Sequence, residues 1–165
     1  MTHNDRHNPL FNPPTRNFDS QQVALMWRQF VSANSTTLTG VRDVISASWQ
    51  RCHESGVDAH KTRANFVGRA ELQNRRLANR LLIDAAAHSW QLLSASMIAS
   101  ESIFVLTDAH GVMLETRGSE EIVEAAAHQG VAPGFDWSEE SAGTNAVGTA
   151  LRADTPTIVR SDEQF

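Results

Sequence analysis

The chain has 165 residues, 41% of them hydrophobic, enough for one ordinary domain with an extension and too apolar for wholesale disorder. No apolar run approaches the roughly 20 residues of a membrane span, the N-terminus lacks a signal-peptide core, and a single cysteine, Cys52, rules out an internal disulfide. These features point to a cytoplasmic protein without a membrane partner. The net charge of −5 is unevenly spread. Residues 51–80 carry Arg51, Lys61, Arg63, Arg69, Arg75, Arg76 and Arg80 against three acids, whereas the acids dominate from residue 81 onward. A basic stretch can read nucleic acid through its phosphates. The plainer reading is a helix face complementing an acidic neighbour, and an acidic body argues against direct DNA binding.

Residues 1–18, with Pro9, Pro13 and Pro14, offer nothing periodic to bury and are expected to form a disordered arm. Residues 19–100 read as a helical lead-in. Asp19 and Ser20 offer caps, and Val23, Met26, Trp27, Phe30 and Val31 fall on one helix face. A second helix carries Val41, Val44, Ile45, Ser48, Trp49 and Cys52, with Gly56 just past its end. A third stretch, roughly residues 69–100, bears an apolar stripe from Leu77 through Leu81, Leu82, Ala85, Ala86, Trp90 and Leu93 to Met97. At ~1.5 Å per residue it would span about 45 Å. It is expected either to break near His88 and Ser89 or to project and pair with a second copy.

The pattern changes after residue 101. Ile103–Leu106 predicts a strand covered on both faces, Asp108–Gly111 a turn, and Val112–Thr116 the returning strand. Ser119 caps a helix with Ile122, Val123, Ala126 and Ala127 as its buried stripe, closed by Gly130. A loop over Val131–Gly143, a short helix over Thr144–Arg152 and a strand over Thr155–Arg160 complete the reading. The fold class is therefore α+β: an antiparallel sheet flanked by helices, behind an α-helical N-terminal extension.

Residues 130–151, GVAPGFDWSEESAGTNAVGTAL, are the most informative. Gly143 and Gly148 permit close backbone approach, and Ala146 and Ala150 let a helix sit tightly on a sheet. Thr144 and Asn145 stand at the helix start, where free N–H groups suit a polar ligand, and Trp137 could wall its apolar part. Tight packing without any ligand explains the same residues equally well. The segment is no phosphate loop, since no GK[ST] follows. Glu139 and Glu140 read as a solvated loop more readily than as paired catalytic carboxylates, and Cys52 as buried filler more readily than as a redox sensor. The seven histidines are scattered without metal-ligand spacing. No catalytic residue, metal or cofactor is expected, and the chain is read as a non-enzyme.

Four blocks carry a resemblance: Val44–Cys52 with Gly56; Val105–Asp108 with Gly111; Trp137–Glu139 followed by Gly143–Leu151; and Pro156 leading to Glu163–Phe165. Together they resemble the N-terminal regions of sigma-54-dependent activators of the acetoin and glycerol-metabolism regulator type. The resemblance implies a partial GAF-like sensor domain over residues 101–165. Its implied partners are a small-molecule effector and a second copy of the chain. The effector is expected between the Ile103–Thr116 hairpin and the Thr144 helix, at Trp137, Glu139, Thr144 and Asn145. Such regulators continue into an ATPase and a helix-turn-helix, of which this sequence shows neither, so a truncated regulator with an open sheet edge is expected. Gln164 stands where the family pattern has histidine. The alternative is a dimerisation module that binds no ligand.

Overall fold

The computed structural model describes residues 20–33, 38–59, 63–99 and 102–165, with side chains omitted at 33 and 94–99. The arm expected over residues 1–18, Lys61 and the Met97 side chain lie outside this description. The architecture is α+β, helices predominating. Helix α1 (Ser20–Ala33) presents Val23 and Phe30, spaced by two turns, to the core. Helix α2 (Asp43–Glu54) buries Ile45, Ser48, Trp49 and Cys52, the i, i+3, i+4, i+7 face that its sequence periodicity defines. Val23, Phe30, Val41, Ile45 and Trp49 form the main hydrophobic core, on which Val159 and Phe165 of the C-terminal segment also pack. The Phe30 ring lies 6.0 Å from Trp49 and 6.2 Å from Phe165, centroid to centroid. Burying side chains of this size contributes about 1.5–3 kcal/mol each.

Strand β1 (Asn65–Phe66), too short to leave a period in the sequence, precedes helix α3 (Arg69–Ala78). Helix α4 (Arg80–Ala99) follows after one non-helical residue. The long helix is therefore interrupted at Asn79, not near His88. The Asn79 amide turns back to donate to the Arg75 carbonyl at 2.9 Å, competing locally with regular helix geometry. Strand β2 (Phe104–Thr107) and strand β3 (Met113–Arg117) pair antiparallel, with a bulge between Leu106 and Thr107. The Leu114 carbonyl at that irregularity accepts from Arg76 Nε and Nη2 at 3.0 and 2.8 Å. β2 is half-buried along its length, so the expectation of complete cover on both faces does not hold.

Helix α5 (Glu120–His128) is capped by Ser119, as its sequence predicts, but its apolar stripe is only half-covered. The stretch read as a loop over 131–143 contains strand β4 (Phe135–Asp136) and helix α6 (Glu139–Ala142). β1 pairs antiparallel with β4, and a bridge from Val112 to Asp136 joins this pair to the β2–β3 hairpin. Helix α7 (Ala146–Ala153) begins two residues later than expected, because Asn145 is its N-cap. Residues 155–160 form no strand. The Ile158 carbonyl accepts from Arg42, and the Arg160 N–H donates to the Glu163 carboxylate at 2.8 Å. Side chains, rather than a neighbouring strand, thus satisfy this backbone, which ends in a 3₁₀ turn over Ser161–Glu163.

Candidate functional site

Two sides of α2 organise the site. Arg42, one residue before the helix, grips Glu163 with Nε to Oε1 at 2.8 Å and Nη2 to Oε2 at 2.5 Å. The Trp49 indole N–H donates to the Glu163 carbonyl at 2.7 Å. These bonds pin the C-terminal segment to α2. On the other side, Arg51 clasps Glu139 of α6 with Nε to Oε2 at 2.7 Å and Nη2 to Oε1 at 2.8 Å. Ser48 donates to Glu139 Oε1 at 2.5 Å. A hydroxyl has one proton, so the 2.7 Å contact between Ser48 and Thr144 must be Thr144 donating to Ser48. The direction of the chain is fixed: Thr144 to Ser48 to Glu139.

Glu139 is therefore no solvated loop residue; it is 2% exposed. Burial alone pushes its carboxyl up, but hydrogen bonds from Arg51, Ser48 and Thr149 outweigh burial and hold it below the usual carboxylate range. The same hydrogen bond raises Arg51 against its own desolvation. Burial pushes the Cys52 thiol up, with its sulfur 3.7 Å from the Thr144 hydroxyl, as filler beside the network. Glu140, by contrast, is solvent-exposed and paired with Arg152. The basic stretch also finds its acidic neighbours at Arg75, which binds Asp108 at 2.6 Å and Glu71 at 2.8 Å. Asp108 in turn accepts the His110 and Val112 N–H groups that shape the hairpin turn.

Asn145 is wholly committed. Its Oδ1 accepts from Gly148 N at 2.9 Å, and its Nδ2 donates to the Trp137 and Gly143 carbonyls at 3.0 and 2.8 Å. It thus caps α7 and ties it to the Trp137 strand end. A Cβ on Gly148 would lie 2.6 Å from Glu139 N and 2.8 Å from the Trp137 carbonyl, so this helix turn touches backbone where only glycine fits. Gly143 (φ +70°) faces the Phe165 carbonyl at 2.8 Å from its Cβ position.

Trp137, Thr144 and Asn145 line one cavity of about 320 Å³, together with Gln129, Gln164 and Phe165. Arg63 stands at the same cavity. Glu139 lies on a different one, of about 250 Å³, between the His110 turn and α7. No residue of the β2–β3 hairpin lines the Trp137 cavity, and the four residues expected at one effector site are divided between two cavities. Arg63, Gln129, Gln164 and Phe165 escaped the sequence reading as site residues; only the last two lay in a recognisable block. The Trp137 indole N–H is engaged by the Gly130 carbonyl at 2.9 Å, leaving the ring as a fixed wall. Among the described residues no His, Cys, Asp and Glu cluster could hold a metal ion, and no helix is long and apolar enough to cross a membrane.

Three of the four resemblance blocks thus meet at α2, in a module built from a helical lead and small antiparallel sheets. Comparison with known proteins places it among the N-terminal regions of transcriptional activators. The chain belongs to the MimR N-terminal domain family, which matches residues 18–165. It is 25% identical over 140 residues, 84% of the chain, to the acetoin dehydrogenase operon transcriptional activator of Bacillus subtilis. It is 32% identical over 124 residues, 74% of the chain, to the acetoin catabolism regulatory protein of Cupriavidus necator. To the propane 2-monooxygenase operon transcriptional activator MimR of Mycolicibacterium smegmatis it is 27% identical over 138 residues, 83% of the chain. The chain covers 23%, 19% and 23% of these relatives, less than a quarter of each. No solved structure matches it.

Proposed function

We propose that this chain is the signal-sensing region of a bacterial transcriptional activator, GAF-like in its sheet and sigma-54-dependent in its class. A small polar or carbonyl-bearing effector binds beside Trp137, and its occupancy controls an ATPase and DNA-binding part. The region neither catalyses a reaction nor binds DNA itself. The observation that carries this reading is the cavity of about 320 Å³ whose Trp137–Asn145 wall is fixed by the Ser48–Glu139–Arg51 network. In this reading Trp137 touches the effector, while Glu139, Thr144 and Asn145 hold the wall in place, because their hydrogen-bonding groups are already engaged. Titration with acetoin, after which two relatives' names are given, should shift the Trp137 indole N–H resonance saturably. Trp137→Ala should weaken binding by roughly tenfold, about 1.4 kcal/mol. If acetoin and a panel of short ketones, diols and acids all leave that resonance unmoved, the sensing role is wrong.

Self-association belongs to the same proposal. Leu81 and Leu92 on α4 are 86% and 75% exposed, and Leu82 and Leu93 of the same helix are exposed as well. A row of leucines on a 20-residue helix suits a second copy of that helix. Sedimentation at micromolar concentration should show a dimer that Leu82→Glu or Leu93→Glu weakens. A monomer at tens of micromolar, indifferent to both changes, would refute dimerisation and leave the effector site standing. A dimer that binds no effector would instead support the pure interaction module.

A further inference from the structure

We infer that the Trp137 cavity takes a small organic acid, with Arg63 meeting its carboxylate. The inference rests on the effector-binding reading above and names the ligand class. Its basis is the charge around the cavities. The cavity beside His110 is lined by Glu139, Glu140 and Arg152, and Arg152 is already bound to Glu140 at 2.6 Å. The groove between α1 and the 3₁₀ turn sets Arg28 against Asp162. The Trp137 cavity alone of these three has an arginine and no aspartate or glutamate side chain in its lining. This local positive balance stands out in a chain of net charge −5.

Arg63, though exposed, also lies against its neighbours. Its Cγ lies 3.3 Å from the Cβ position of Gly130, and its guanidinium sits 5.1 Å from the centre of the Phe135 ring. A guanidinium over an aromatic ring keeps N–H groups with which a carboxylate can pair bidentately. Arg51 and Arg75 have carboxylate partners, whereas Arg63 has none among the described residues. Gln129 and Gln164 add neutral amides, and the rings of Trp137 and Phe165 supply apolar wall. The volume is about twice the roughly 150 Å³ that accommodates benzene, so an acid of about a dozen heavy atoms fits.

The test compares acids with their isosteric amides on the whole chain: 3-phenylpropanoate against 3-phenylpropanamide, and butanoate against butanamide. Affinity is read by calorimetry and location by the Trp137 indole N–H resonance. The acids should bind about tenfold more tightly, because a charged acceptor strengthens each hydrogen bond. Arg63→Gln should abolish that preference, Arg63→Lys should keep part of it, and Arg69→Gln, away from the cavity lining, should leave it intact. Equal binding of acids and amides at Trp137 would overturn the ligand class alone. Acid binding that survives Arg63→Gln unchanged would overturn it as well. If neither acids nor amides move the Trp137 resonance while acetoin does, the acid class is again refuted and the effector site remains. If no compound moves it, both readings fail.

Discussion

Replacing Arg51 with methionine removes the guanidinium that faces Glu139 while keeping most of the aliphatic stem. The Glu139 side chain is 2% exposed, and its remaining bonds would come from neutral hydroxyls. Stranding a buried charge in this way costs about 3–5 kcal/mol. The Arg51 side chain is 33% exposed, so water can reach part of the vacated space, and the lower end, about 3 kcal/mol, is expected. At about 2–4 °C per kcal/mol for a chain of this size, the melting temperature should fall by roughly 6–12 °C. The dependence on pH is sharper still. In the parent the Glu139 carboxyl is held below its usual range, so its contribution is present above the unfolded value of about 4.3 and is lost as pH falls below that. In Arg51→Met, burial dominates and raises the folded pKa, so the variant gains stability as pH falls toward about 4.3. Thermal melts of both proteins at pH 7.5 and pH 5 should therefore show the gap narrowing at the lower pH. A gap under about 1 °C at pH 7.5, or one unchanged at pH 5, would refute the claim that Glu139 is a buried carboxylate held by Arg51.

The remaining expectations follow from single contacts. Gly148→Ala should destabilise by at least 1–3 kcal/mol despite alanine's helix propensity, because the new methyl meets the backbone of Trp137 and Glu139; a raised melting temperature would contradict this. Asn145→Ala should cost about 1–2 kcal/mol, and Asn145→Asp more, since aspartate keeps the acceptor for Gly148 N but sets a buried carboxylate oxygen against the Trp137 and Gly143 carbonyls. An aspartate variant more stable than alanine would show that the donor bonds to Trp137 and Gly143 do not hold the cap. Trp49→Phe, which loses the bond to the Glu163 carbonyl, should accelerate amide exchange across residues 158–165, and unchanged exchange there would show that this bond does not hold the segment.

Helices α1 and α2 were legible because burial repeats on their own period. Val23 with Phe30, and Ile45 with Ser48, Trp49 and Cys52, are both the sequence pattern and the buried set. The β2–β3 hairpin was legible because Asp108 and Gly111 supply the turn chemistry that the fold uses. Residues 155–160 were misread for a physical reason. Their β-prone composition is real, but Arg42 and Glu163 take backbone groups that a ladder would otherwise need. Glu139 was misread because its partners lie 88 and 91 residues away, beyond any local pattern. The choice between ligand site and tight packing at Thr144 and Asn145 could not be made from spacing. Their side chains serve the packing, and the cavity owes its open chemistry to Arg63 and Gln129, which no motif marks, and to Gln164, whose block marks its position but not this role.

The bonds on α2 join the proposed effector site to the rest of the chain. One wall of the cavity, Trp137 through Asn145, is tied to α2 by Glu139 with Arg51 and by Thr144 with Ser48. The other wall, Gln164 and Phe165, is tied to the same helix region by Glu163 with Arg42 and Trp49. Both anchors are charge-assisted forks, which are stiff and directional. A ligand that widened or narrowed the cavity must therefore strain one fork or move α2 with it. Moving α2 would in turn drag the Trp49–Phe30 contact and with it α1. Cavity walls and N-terminal helices are thus joined through Arg42, Trp49 and Arg51, and under the proposed sensing role these residues link a change in occupancy to α1.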